Sequence, residues 1–191
     1  MIRFERVPEP EGFDEKVRQP GNAWLETHPE VRKLNPLWGP FRSHLAEGFR
    51  DLCAYSAMHE PVGCVDHYLS SKKHRHLAYE WSNYRFSSEW INKSKQAADD
   101  EVLDPHEVED GWFEILLPSL QLVLTDAVPP ARRARAANTL DRLHLRDDER
   151  VLRQRQAWYQ LYRDGELTLD GLRRMAPLIA RAVEKSGPAP L

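Results

Sequence analysis

Residues 62–97 read VGCVDHYLSSKKHRHLAYEWSNYRFSSEWINKSKQA, and the order of apolar and polar positions within them decides the fold. A short apolar run, Val62, Cys64 and Val65, ends in Asp66 and His67 and reads as a strand. A polar loop follows, from Leu69 to about His76. Tyr79–Phe86 is aromatic-rich and alternating, which predicts the returning strand. Ser87 or Ser88 can cap a short helix through about Ala97, with Trp90 and Ile91 on its buried side. Strand, loop, strand and helix are thus expected within one continuous stretch.

Four polar residues in that stretch carry chemistry: Asp66, His67, Asn83 and Asn92. Neighbours on a strand point to opposite faces, so Asp66 and His67 cannot easily do the same work. A carboxylate on the helix-facing side can share a divalent ion with Asn92, which lies about one turn into the helix. Their oxygens are hard ligands suited to Mg²⁺ or Mn²⁺, and two protein ligands leave room for waters and a phosphate. His67, turned to the other side, can take a proton from water attacking a phosphodiester, because its reference pKa of about 6.5 suits neutral pH. Asn83 fits a role in tying the loop to the second strand through its amide. The loop Ser70–His76 holds Lys72, Lys73, His74, Arg75 and His76, a local basic patch that reads either as a solvated loop or, since it would overhang the Asp66/His67 end, as a grip on phosphate.

This ordered set, Asp66-His67, then Asn83, then Asn92-Lys93-Ser94-Lys95, resembles the HNH endonuclease family and its ββα-metal fold. The Asp-His-Asn-Asn version is similar to the HNH domains of RNA-guided DNA nucleases. The resemblance implies Asp66 and Asn92 as ligands of one Mg²⁺ (or Mn²⁺), His67 as general base, Asn83 as loop brace and Lys95 as a phosphate contact. The elements CAYS, VDHY, LAYEWSNYR, NKSK and VLDP, spanning about residues 50–110, further resemble bacterial stand-alone HNH proteins of anti-phage systems of the retron and Septu type. That implies a DNA-cleaving defence effector with a neighbouring ATPase or sensor as partner. Many relatives carry two Cys pairs that hold a structural zinc. Here Ser56 stands where the second Cys would follow Cys53, and Ser87-Ser88 occupy the later region, so no structural zinc is expected. Tyr55, Trp81, Tyr84 and Trp90 are expected to replace that staple by packing.

Across all 191 residues the expected class is α+β: a ββα-metal core with an N-terminal arm and helix, a second β-hairpin and C-terminal helices. Residues 1–36 are Pro-studded and read as an extended arm, with a helical turn or two near Asn22–Glu26, that packs on the body or docks a partner. Residues 37–110 form the nuclease core, entered through a helix over Pro40–Leu52 whose Phe41, Leu45, Phe49 and Leu52 recur at helical spacing. Residues 111–186 hold a hairpin, Trp112–Leu117 with Leu120–Thr125, and three helices starting near Pro130, Asp147 or Asp148, and Thr168. Residues 187–191 are expected to be a disordered tail. The acidic run Asp99, Asp100, Glu101 reads as a solvated terminus.

A formal charge of −3 is unusual for a protein relying on long-range attraction to nucleic acid, so DNA contact would rest on a local surface such as Lys72, Lys73, Lys93 and Lys95, or on a partner. Arginines of the C-terminal helices can add to such a path, although a solvated face accounts for most of them. No apolar run approaches the length of a membrane span, and two cysteines without a secretory signal suit a reducing cytoplasm. Rival readings are a catalytically silent nucleic-acid- or protein-binding module on the same scaffold, and an RNA-cleaving nuclease.

Overall fold

Short apolar runs separated by turn residues give short elements, and the chain folds as a mixed α+β structure of that kind. The computed structural model describes residues 1–30 and 33–187. Its helices are α1 (Gln19–Thr27), α2 (Arg42–Gly48), α3 (Glu89–Lys95), α4 (Pro130–Arg142), α5 (Glu149–Arg163), α6 (Leu169–Met175) and α7 (Pro177–Ser186). Its strands are β1 (Cys64–His67), β2 (Tyr84–Ser87), β3 (Phe113–Leu116) and β4 (Gln121–Leu124), paired as two antiparallel hairpins, β1–β2 and β3–β4.

The first hairpin pairs Cys64 with Ser87, Val65 with Phe86, Asp66 with Arg85 and His67 with Tyr84. Gly63 enters it beneath the Phe86 ring, where a Cβ would lie 2.4 Å from the ring carbon Cζ, so only glycine fits. Both strands are shorter than the sequence predicts. Trp81–Asn83 form a 3₁₀ turn because Trp81 turns inward and donates its indole N–H to Val7 O at 2.9 Å. α3 follows Ser88 and packs on β1, but it stops at Lys95, since Gln96 takes a left-handed φ of 49°. Ile91 is buried on its inner side, while Trp90 is half-buried and carries the Arg150 guanidinium over its ring.

The helix entering the hairpin is also shorter than Pro40–Leu52. A 3₁₀ turn, Gly39–Phe41, leads into α2, which ends at Gly48 because Arg50 and Asp51 both adopt positive φ. Phe49 and Leu52 still reach the core from the turn that follows.

Residues 1–30 are more ordered than an extended arm. Met1, Ile2, Phe4, Phe13 and Val17 are buried, Phe4 donates its N–H to Pro105 O at 3.2 Å, and Phe13 packs on Phe41, Trp81 and Tyr84. A π-helical stretch, Asp14–Arg18, runs straight into α1. Pro20 is the second residue of α1 and lies within this continuous helical run.

The second hairpin turns through residues 117–120 and is covered by α7 on β3 and by α4 on β4. Asp148 and Thr168 accept backbone N–H bonds at the starts of α5 and α6, from Arg150 and Gly171. Four C-terminal helices stand where three were expected, because Pro177 ends the pattern that begins at Thr168 and starts α7. Arg155 of α5 is enclosed and donates to Leu120 O, Arg146 O and Leu145 O, joining the second hairpin to the turn after α4. The expected tail lies, beyond Gly187, outside the described residues. Among the described residues no helix is long and apolar enough to cross a membrane.

Candidate functional site

The pleat of β1 sends Asp66 and His67 in opposite directions. Asp66 is 1% exposed and faces α3. Its Oδ2 accepts the Tyr55 hydroxyl at 2.6 Å, and its Oδ1 accepts the Lys95 ammonium at 3.1 Å. Burial, with the Asp66 charge beside it, holds the Tyr55 phenol well above its ordinary pKa, so it stays protonated and donating. Lys95 also donates to His67 O at 2.8 Å and stands over the Tyr68 ring. Expected to face a phosphate, Lys95 is instead fully enclosed at the C-terminal end of α3. Asn92, on the same helix, donates through Nδ2 to Cys64 Sγ at 3.3 Å and, at 3.5 Å, to Val65 O.

His67 lies half-buried on the other side, edge-on to Trp38 and Tyr84 with ring centroids 4.9 and 5.1 Å away. Its Nε2 is 2.8 Å from Ala78 O, which also accepts the Tyr84 hydroxyl. A carbonyl only accepts, so Nε2 carries the proton and Nδ1 keeps its lone pair. Burial pulls the His67 pKa below its ordinary value, against the opposing pull of the Ala78 hydrogen bond and the Asp66 charge. The ring is therefore neutral at pH 7.

Asn83 and Asp99 are further braces of the loop between the strands. Asn83 is buried, donates from Nδ2 to Leu69 O and Leu77 O at 2.9 and 3.1 Å, and accepts Leu69 N–H at 2.8 Å. Asn83→Ala strips partners from three backbone groups, so it should cost about 1–3 kcal/mol of stability in urea unfolding. A loss below about 0.5 kcal/mol would mean that the loop carries itself.

The second brace is Asp99. Its acidic neighbours suggest a solvated run, but it is 1% exposed, whereas Asp100 and Glu101 are exposed. Its carboxylate accepts Ser70 N–H and Ser70 Oγ–H at 2.5 and 3.2 Å and pairs with Lys73 at 3.3 Å. Burial alone would raise its pKa, but those bonds and the Lys73 charge leave it lowered.

The basic residues are largely spoken for. Lys73 is tied to Asp99 and Ala97 O, Lys93 to Glu89, and Lys95 to Asp66, while Lys72 is exposed. In α4, Arg132 pairs with Glu107, Arg133 with Asp126, and Arg135 donates to Val102 O.

Where a zinc site would need thiolates, Cys53 Sγ sits 3.7 and 3.8 Å from Ser87 Oγ and Ser88 Oγ, and it accepts Ser88 N–H. Cys53 and Cys64 are both free. Hydroxyls are poor zinc ligands beside one thiol, so elemental analysis of the purified protein should find far less than one zinc per chain. Stoichiometric zinc would refute this reading of the serines.

The site is therefore completed by side chains that sequence reasoning did not place there. Tyr55 was assigned to packing and Asp99 to solvent. Trp38 lies far from His67 in the chain, with no local pattern linking the two. No family model and no curated protein matches this chain.

Proposed function

We propose that the chain is an HNH-type endonuclease that hydrolyses DNA phosphodiester bonds, with His67 as general base. The observation that carries this reading is the bond from His67 Nε2 to Ala78 O, which leaves Nδ1 as a proton acceptor at the end of a braced β-hairpin. In the proposed step Nδ1 takes a proton from water, and the water oxygen bonds to phosphorus. The 3′-oxygen leaves with the P–O electron pair and is protonated by solvent. Asn83 and Asp99 hold the loop that carries the Ala78 carbonyl and the exposed Lys72.

The resemblance adds Mg²⁺ or Mn²⁺ on Asp66 and Asn92. The donor types suit a hard ion, but the arrangement does not fit one: Asp66 is enclosed, and both of its oxygens are engaged, by Tyr55 and Lys95. The step written above accordingly involves only His67, water and the phosphodiester.

That same closed carboxylate favours a second reading, a silent binding module on an HNH scaffold. Plasmid nicking in Mg²⁺, Mn²⁺ and EDTA, with wild type and His67→Ala, separates the two, and a labelled RNA in parallel tests the sugar. His67-dependent cleavage supports the nuclease; no cleavage under any condition supports the module.

The proposal extends, by the same resemblance, to an anti-phage effector working beside an ATPase or sensor. A net charge of −3 with most site cations paired supports weak DNA capture by the isolated chain and a need for such a partner.

A further inference from the structure

A groove of about 540 Å³ lies between the turn after α2 and the end of α6, and no residue from His67 to Asn92 lines it. Its two walls are joined where His59 N–H donates to Met175 O, and Glu60 N–H donates to Asp51 O within one wall, both at 2.8 Å. Three arginines line it, Arg50, Arg173 and Arg174. Arg173 is engaged by Asp170 and Glu184. Arg50 and Arg174 are exposed, and among the described residues neither has a carboxylate within ion-pair distance. Asp110, whose field reaches Arg50, is itself held by Arg181 at 2.8 Å. Arg50 stands over the Phe4 ring, 5.4 Å from its centre, which steadies the guanidinium without satisfying its N–H groups. Arg50 and Asp51 also hold left-handed backbone, with φ of 58° and 53°, a costly conformation for residues with a Cβ that gathers at ligand clamps.

We propose that this groove binds a phosphomonoester on an organic body of about nucleotide size, its phosphate held by Arg50 and Arg174. Charge selects an anion, since two unpaired guanidinium groups face one carboxylate, Asp51. Guanidinium groups reaching the groove from two walls suit a dianion with three terminal oxygens. A carboxylate, with one charge and two oxygens, is filled by a single arginine fork. Size selects the body. A bare phosphate leaves most of the groove empty, while the volume falls in the range of roughly 300–1,000 Å³ usual for small-molecule pockets. Met175 and the His59 ring supply a wall for a flat ring, and Asp51 can accept a hydrogen bond from a hydroxyl or amino group of the body. Neither His67 nor any cleavage of DNA enters this inference.

The test is calorimetric titration of the full chain with the four ribonucleoside 5′-monophosphates, the matching nucleosides and inorganic phosphate. At least one monophosphate should bind one per chain, about tenfold or more tighter than its nucleoside and than inorganic phosphate, because the nucleoside lacks the charge-assisted bonds. The same monophosphate should raise the thermal midpoint, since its site spans two walls that separate on unfolding. A monophosphate bound no more tightly than its nucleoside overturns the proposal, and so does a lack of binding by all four. Inorganic phosphate binding as tightly as every nucleotide overturns the organic body.

Three variants place the ligand. Arg174→Ala removes an exposed side chain and should weaken the monophosphate about tenfold while the circular dichroism stays that of wild type. Arg50→Gly removes the other guanidinium and at the same time eases the left-handed backbone, so it should fold and lose affinity by a similar factor. Asp51→Asn should tighten binding, because the amide oxygen still accepts a hydrogen bond and no longer repels the phosphate. Unchanged affinity in both folded arginine variants would overturn the assignment.

Discussion

His67→Ala should lower DNA cleavage by about 10²–10⁴-fold, the usual cost of losing a general base, while the fold persists. The ring is half-buried between Trp38 and Tyr84, so its removal leaves a small gap rather than an unpaired charge. Ala78 O loses one donor but retains the Tyr84 hydroxyl at 2.9 Å. Circular dichroism and the thermal midpoint should therefore change little, and kcat should carry the loss. His67→Gln is the informative companion: its amide can still donate to Ala78 O but cannot accept a proton at neutral pH, so it should be about as inactive as the alanine variant. A folded His67→Ala protein with near-full activity would remove His67 from the chemistry.

Periodicity made the elements legible and left their ends hidden. The alternation of Val65, Asp66 and His67 and the aromatic run opposite place β1, β2 and α3 in the right order. The strand ends escaped because Trp81 answers to Val7, a residue far away in the chain. α1 was legible only as a turn or two near Asn22–Glu26, because the prolines around it signal breaks from sequence, whereas the helical run continues through Pro20. Within the site, residue type suggested which groups could do chemistry but not what each would touch. Asp66 and Lys95 stand 29 positions apart, and nothing in NKSK distinguishes an exposed lysine from an enclosed one. The same holds for Asp99, whose acidic neighbours made it look solvated although its partners are Ser70 and Lys73. Burial and pairing of charges are decided by contacts distant in sequence, and a single chain read by pattern does not contain them.

The largest effect on stability should come from a pair that sequence reasoning passed over entirely. Arg85, opposite Asp66 in the hairpin register, donates Nε to Asp104 Oδ1 at 2.8 Å and Nη2 to Asp104 Oδ2 at 2.6 Å. Both side chains are 5% exposed or less. Nη1 also donates to Ser82 O and Tyr84 O, so the guanidinium pins β2 to the segment that follows α3. Asp104→Ala leaves that buried guanidinium without its counter-charge and should cost about 3–5 kcal/mol, roughly a third of a typical domain's stability. For a chain of this size the thermal midpoint should fall by about 6–20 °C. Replacing both partners by apolar residues, Arg85→Met with Asp104→Leu, should cost less than Asp104→Ala alone, because no charge is then stranded. The pH dependence has a definite sign. Burial alone would raise the Asp104 pKa, but the Arg85 hydrogen bonds and charge leave it lowered. Its contribution is thus complete above the unfolded carboxyl value of about 3.9 and is lost as pH falls through the lower folded value. Urea unfolding of wild type and Asp104→Ala should accordingly show a constant gap from pH 5 to about pH 7 that narrows below about pH 4. A gap under about 1 kcal/mol at pH 7 would mean that the pair is not holding the hairpin, and with it the placement of His67 on β1.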